Sequence, residues 1–127
     1  MYEVTVQETF AAAHFLRGYE GSCNSIHGHN FRVQVTVEGE RLNEIGMLVD
    51  FRELKTLLRE AAATVDHRNL NEIPPFDGEK NPSTENLAEY FYCRVKAGIS
   101  NPDARVKEVC IWETDIQSAK YVPTSSK

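Results

Sequence analysis

No apolar run in this 127-residue chain approaches the roughly 20 residues that cross a bilayer, so no membrane span is expected. Cysteine is scarce and odd in number: three, without a Cys-x-x-Cys pair. That argues against a disulfide framework or a cysteine-rich zinc module, and for reduced thiols in a reducing compartment. Basic residues are the minority, 14 against 19 acidic, for a net charge of -5. A duplex-binding protein needs the opposite balance, because phosphate neutralisation supplies most of its affinity, so no nucleic-acid partner is expected. No glycine-rich segment matches a phosphate loop or a dinucleotide fingerprint. The N-terminus enters strand-like alternation at once, without the charged and apolar regions of a secretory signal, so a cytoplasmic protein is expected. With 41% hydrophobic and 26% charged residues, the composition is that of one soluble globular domain over residues 1–127. Histidine is scarce too, four in all, and each can be followed individually.

Along the chain, Tyr2, Val4, Val6 and Phe10 alternate with polar residues, broken only at Glu8, and predict a half-buried strand. Gly18 to Ser25 reads as a loop. A second strand follows, with Phe31, Val33, Val35 and Val37 on one face. Asp50 is placed to cap a helix over about residues 51–65, with Glu53 as its capping-box partner and Leu54, Leu57, Leu58, Ala61 and Val65 as the apolar stripe. Asn69 to Pro82 contains three prolines and a glycine and is expected to be irregular. Ser83 or Thr84 then caps a second helix, whose stripe is Leu87, Ala88, Phe91 and Val95 and whose end is marked by Gly98. Val106 to Trp112 and Ile116 to Val122 predict two last strands joined by a turn at Thr114 and Asp115. The order β-β-α-α-β-β describes an α+β fold, a four-stranded antiparallel sheet with both helices on one face. Its open edges invite pairing with another subunit.

His27 and His29 lead into the second strand two residues apart, so both share the face of Phe31. His14 follows the first strand, and hairpin pairing brings it to the same end. Two imidazoles at that spacing with a third beside them suit a borderline divalent ion such as Zn²⁺, and three protein nitrogens with an open fourth position is the catalytic arrangement. A bare His-x-His is more often incidental; convergence of three of the four histidines on one hairpin is what favours a metal. Cys23, in the preceding loop, is a base, nucleophile or fourth ligand if a cation lowers its pKa, and otherwise an ordinary loop thiol. Cys93 and Cys110 fall in regular elements and read as buried structural thiols. Asp66 beside His67 can fix the imidazole tautomer for proton transfer, though a histidine at a helix end also simply complements the dipole. Glu113 shares parity with Val109 and Ile111. It is either a strand-end residue in solvent or a buried carboxylate on an apolar face, awaiting a fork of N–H donors such as a pterin or guanine edge. Glu85 reads as a first-turn acid, and Thr84 as a cap or a ligand contact.

These residues fall into six ordered motifs: Phe10-Ala11-Ala12-Ala13-His14, Cys23-x3-His27-Gly28-His29, Val49-Asp50-Phe51, Asp66-His67-x2-Leu70-Asn71, Pro82-Ser83-Thr84-Glu85-Asn86 and Trp112-Glu113-Thr114. In them the chain resembles the 6-pyruvoyl-tetrahydropterin synthase superfamily, most closely the bacterial-type 6-carboxytetrahydropterin synthases of queuosine biosynthesis. The resemblance implies the tunnelling fold, assembled as a homohexamer of two stacked trimers with active sites between subunits. It implies Zn²⁺ on His14, His27 and His29, a catalytic Cys23, a proton relay of Asp66 and His67, a pterin-anchoring Glu113, and Thr84 and Thr114 along the pterin pocket. The implied activity is that of a lyase turning 7,8-dihydroneopterin triphosphate into 6-carboxy-5,6,7,8-tetrahydropterin, with release of acetaldehyde and triphosphate. The alternatives are 6-pyruvoyl-tetrahydropterin synthesis, which retains all carbons, a non-catalytic pterin- or purine-binding protein on the same fold, and a purely structural zinc module. The short gap between Cys23 and His27 resembles the bacterial type, and retention of Cys23 separates the chain from variants with glutamate there. Phe15 stands where many relatives carry a basic residue, which leaves Arg17, Arg68 and Lys80 as candidates for the triphosphate.

Overall fold

The computed structural model describes residues 1–21 and 25–124. Strands β1 (Tyr2–His14) and β2 (His27–Gly39) form an antiparallel hairpin paired from Tyr2 opposite Gly39 to His14 opposite His27. Helix α1 (Phe51–Ala63), a two-residue strand β3 (Arg68–Asn69) and helix α2 (Thr84–Lys96) follow, then β4 (Ala104–Thr114) and β5 (Gln117–Tyr121). The sheet order is β3-β1-β2-β4-β5. The four long strands are antiparallel, as their alternation predicts, but β3 lies parallel to β1 at Ala12 and Ala13, so the sheet is five-stranded and mixed. Two residues carry no periodicity, which is why that strand has no signature in the sequence. Among the described residues no helix is long and apolar enough to cross a membrane.

One face of the sheet carries Val6, Phe10, Phe31, Val33, Val35, Val37, Val109 and Ile111, all buried. The helices cover it with the stripes read from their spacing: Leu54, Leu58 and Ala61 from α1, and Leu87, Ala88, Phe91 and Val95 from α2. Phe10 stacks on Phe31 at 5.0 Å and on Phe91 at 5.3 Å, joining the hairpin to α2. Glu8, the break in the first strand's alternation, lies on this face near its margin and meets Arg59 of α1 at 3.4 Å. Val106 and Val109 are both buried despite opposite parity, because β4 has a bulge where Lys107 lies, between the pairings of Val37 with Val106 and Thr36 with Glu108.

The caps refine the sequence reading. Asp50 caps α1 by accepting from Arg52 N at 2.8 Å, whereas Glu53 closes no capping box and instead accepts from the Ser100 amide and hydroxyl at 2.8 and 2.9 Å. Ser83, not Thr84, caps α2, accepting from Asn86 N at 3.1 Å. Gly98 follows α2 for a reason of space rather than of φ, since a Cβ there would collide with the Leu57 side chain. Cys110 is buried, but Cys93 is exposed on α2: it lies outside the stripe of Phe91 and Val95, and helical periodicity turns it to solvent.

Candidate metal centre and adjoining clefts

The hairpin register places the histidines. His14 ends β1 directly opposite His27, the first residue of β2, and His29 faces Ala12 two residues on. With a period of two, all three rings stand on the face of Phe31, with centroids 4.7, 5.0 and 5.5 Å apart. His14 is 2% exposed. β1 thus runs four residues beyond Phe10, carried through Ala11, Ala12 and Ala13 to His14 by cross-strand pairing rather than by propensity.

Two asparagines that the sequence reading left without a role hold this end of the hairpin. Asn71 accepts from Phe15 N at 2.9 Å and donates to Phe15 O at 3.0 Å; Asn81 makes the same reciprocal pair with Arg17, at 3.0 and 2.9 Å. Each amide side chain replaces a strand partner, a use open to Asn because it has a donor and an acceptor. The segment so docked presents the Pro82 carbonyl to His14 Nδ1 at 2.7 Å. A carbonyl only accepts, so Nδ1 carries the proton and the Nε2 lone pair is left free. His27 is set the same way, its Nδ1 donating to Ser25 O at 2.7 Å.

His14 Nε2 is buried and has no hydrogen-bond partner. Burial is the first cause that lowers the His14 pKa, and the charges of His27 and His29 add to it against the raising effects of Pro82 O and Glu113. A neutral imidazole with an orphaned, inward lone pair is the state a metal requires. The ligand atoms of His14, His27, His29 and Glu113 all lie within 4.8 Å of one another, so the side chains present fit a divalent ion. Glu113 Oε2 is 3.3 Å from His14 Nε2 and 3.4 Å from His29 Nε2. The carboxylate is 25% exposed, between the buried and solvent-facing alternatives that its parity leaves open. It is aimed from a second bulge of β4, where Trp112 pairs with Ser118 and Thr114 with Gln117, and Glu113 has no partner on β5.

Thr84 and Glu113 share a small cleft of about 140 Å³ with Ser118. Because Ser83 does the capping, the Thr84 hydroxyl is not needed for it. Thr114 is used in the β4–β5 turn, where its hydroxyl accepts from Ile116 N at 3.3 Å and meets Gln117 Oε1 at 3.4 Å. Asp66 and His67 stand at the other side of the sheet. Asp66 Oδ1 accepts from Ala11 N at 2.9 Å, the main cause that lowers its pKa, and Oδ2 is 3.0 Å from His67 Nδ1. His67 lines a cleft of about 410 Å³ together with Ala11, Ala13, Gly28, His29 and Arg68. The structure therefore gathers the histidine triad with Glu113; Thr84 joins Glu113 in the small cleft, and His67 shares the larger one with His29. Cys23 lies outside the described residues. Of the basic candidates, the Arg17 guanidinium donates to Phe76 O and Lys80 O at 2.9 and 2.7 Å, and Lys80 pairs with Glu89 at 3.1 Å. Arg68 makes no ion pair among the described residues.

His67 adopts a φ of 59°, a left-handed conformation that costs a side-chain-bearing residue about 1–2 kcal/mol. Its amide donates to Ala11 O at 2.5 Å, which fixes the turn. His67→Gly is therefore expected to leave folding stability unchanged or raise it by up to about 1 kcal/mol in urea denaturation, an imidazole being held where glycine is easier. A loss of more than that would show that the ring itself supports the fold.

Comparison with known proteins shows the family of the chain. Residues 3–124 match the family model described as 6-pyruvoyl tetrahydropterin synthase. A dihydroneopterin monophosphate aldolase of Pyrococcus furiosus is 34% identical over 87% of this chain and 88% of its own. The 6-carboxy-5,6,7,8-tetrahydropterin synthase of Bacillus subtilis is 31% identical over 96% of this chain and 86% of its own. The solved structure of Caenorhabditis elegans 6-pyruvoyl tetrahydropterin synthase superposes with a TM-score of 0.83 at 32% identity, covering 98% of both chains. With the match running almost from end to end in sequence and in fold, this chain belongs to the 6-pyruvoyl tetrahydropterin synthase family.

Proposed function

We propose that the protein is a metal-dependent lyase that converts 7,8-dihydroneopterin triphosphate and one water to 6-carboxy-5,6,7,8-tetrahydropterin, acetaldehyde and triphosphate, as in queuosine biosynthesis, the water supplying the second carboxylate oxygen. The observation that carries this reading is the buried, partnerless Nε2 of His14 beside His27, His29 and a carboxylate, in a chain of this family. A divalent ion there, for which Zn²⁺ is our assignment, supplies Lewis acidity toward the oxygens of the substrate side chain. Glu113 accepts from the guanidine-type edge of the pterin, with the Thr84 hydroxyl beside it and Thr114 shaping the turn that carries it. Cys23 takes a proton as thiolate, and His67, oriented by Asp66, exchanges one from the other side. Internal transfer of electrons from side chain to ring makes a nicotinamide unnecessary.

The placement of these groups supports active sites shared between subunits. His67 lines a cleft beside β3 that also contains His29, whereas Glu113 and Thr84 line a separate cleft beside β5. Closing such sheets edge to edge, as in a hexamer of two trimers, brings one subunit's β3 side toward the next subunit's β5 side and satisfies both edges.

The 6-pyruvoyl branch is the second reading, favoured by the similarity to the Caenorhabditis enzyme; the Cys23-x3-His27 spacing favours the first. Zinc-loaded protein should turn over the triphosphate with no redox cofactor added, and mass analysis should show acetaldehyde and a 6-carboxy pterin. An intact pyruvoyl side chain would move the protein to the other branch. Aldol cleavage of dihydroneopterin monophosphate, with the ring left at the dihydro level, would move it toward the chemistry named for the Pyrococcus relative, and binding without turnover would leave a pterin-binding protein.

A further inference from the structure

We propose that Glu113 is a releasable fourth ligand, closing the coordination of the ion on His14, His27 and His29 when no pterin is bound and surrendering that position when its carboxylate turns to the pterin's N–H donors. The inference rests on the metal and pterin readings above and adds a link between them. Its first support is electrostatic. His14 Nδ1–H donates a hydrogen bond to Pro82 O, so the lone pair on Nε2 confronts Glu113 Oε2, another acceptor, at 3.3 Å. Two acceptors that close repel each other unless a cation lies between them.

The second support is metric. Four ligands at about 2.0–2.1 Å from a tetrahedral ion are about 3.3–3.4 Å from one another. Glu113 Oε2 stands at 3.3 and 3.4 Å from the Nε2 atoms of His14 and His29. The third is mechanical. Glu113 is the unpaired residue of a bulge, free of the β5 ladder, and lines the cleft of Thr84 and Ser118 as well as the histidine cluster. One carboxylate at that boundary can face the ion or the cleft. Ligation by Glu113 leaves a closed, structural-type N₃O set, and its departure opens the position that a catalytic site needs. The exchange is of ligands only; no electron moves. Arrival of the pterin ring thereby exposes the ion to the side chain that follows it.

The test uses full-length protein loaded with Co²⁺, whose visible absorption reports coordination. Glu113→Gln should bind Co²⁺ at least about tenfold more weakly than wild type and show an altered band. Bare 2-amino-4-oxopteridine, which has no side chain to offer the ion, should change the wild-type band in the same direction. Co²⁺ loading should weaken binding of that pterin by the factor by which the pterin weakens Co²⁺ binding, as linkage demands. Wild-type affinity and spectrum in Glu113→Gln would overturn the proposal while leaving the three-histidine site standing. So would a wild-type band that saturating pterin leaves unchanged, a result independent of whether the variant folds. Failure of the wild type to take up Co²⁺ would remove the metal reading and the proposal together.

Discussion

His14→Ala is expected to lose specific divalent-metal binding and to lower turnover by at least about 10³-fold, since the ion is asked to supply several kcal/mol and each 1.4 kcal/mol is about tenfold. Loss of His14 removes the one ligand that is almost fully buried and whose tautomer is set by a backbone carbonyl. His27 and His29 remain, but both are more exposed, and two neighbouring imidazoles hold a borderline ion weakly. The variant also leaves the Pro82 carbonyl without its donor, so some stability is lost for reasons unrelated to metal. Melting in the presence and absence of ion separates the two effects. At 100 times the dissociation constant a ligand stabilises the native state by about 2.7 kcal/mol; the wild type should show that rise and His14→Ala should not. An equal rise in both would place the ion elsewhere.

Proton linkage gives the same variant a second signature. Burial lowers the pKa of folded His14 below its ordinary 6.5. Between the folded value and 6.5 the unfolded chain binds more protons, so stability contributed by neutral His14 is complete above pH 6.5 and is lost as pH falls through that window. Metal-free wild type should therefore lose stability on acidification more steeply than His14→Ala, measured as urea midpoints across the window. Parallel curves would mean that His14 is not held neutral by its surroundings.

What the sequence discloses here follows from periodicity, and what it hides follows from breaks in it. The period of two puts His27 and His29 on the face of Phe31, and pairing of β1 with β2 brings His14 to them, because neither strand contains an irregularity along the shared ladder. The helix stripes emerge equally well. Bulges interrupt the pattern in β4, so Val106 and Val109 look like opposite faces, and nothing in Trp112-Glu113-Thr114 announces that Glu113 stands unpaired and turned toward the histidines. Phe76, fully buried and packed on Tyr90 at 5.3 Å, lies in a proline-rich stretch whose composition says only that it is irregular. The roles of Asn71 and Asn81 are tertiary, each satisfied by residues 56 or 64 positions away, and a local reading contains no trace of them. His67 is a conflict between chemistry and conformation: a left-handed turn asks for glycine, and the residue present is an imidazole.

Phe31 is where the core and the site become one structure, and Phe31→Ala is expected to destabilise the fold by about 3–5 kcal/mol. It is fully buried, stacks on Phe10, and sets its ring against the imidazoles of His14 and His29 with centroids at 5.6 and 5.5 Å. For a domain whose total stability is about 5–15 kcal/mol, the loss is a large share of what holds it folded, and urea denaturation of the metal-free chain measures it directly. The cavity would open immediately beside the ligands, so affinity for Co²⁺ should fall as well, even though Phe31 touches no ion. Phe31→Leu separates filling from positioning. It restores most of the volume, and its stability cost should stay near about 1–1.5 kcal/mol, but the aromatic contacts that orient the two rings are lost. If Co²⁺ binding weakens in Phe31→Leu by more than its stability change, the phenylalanine edge is orienting the imidazoles. If binding is unchanged while stability falls, the histidines are held by strand register and backbone carbonyls alone, and the aromatic layer beneath them serves only the core.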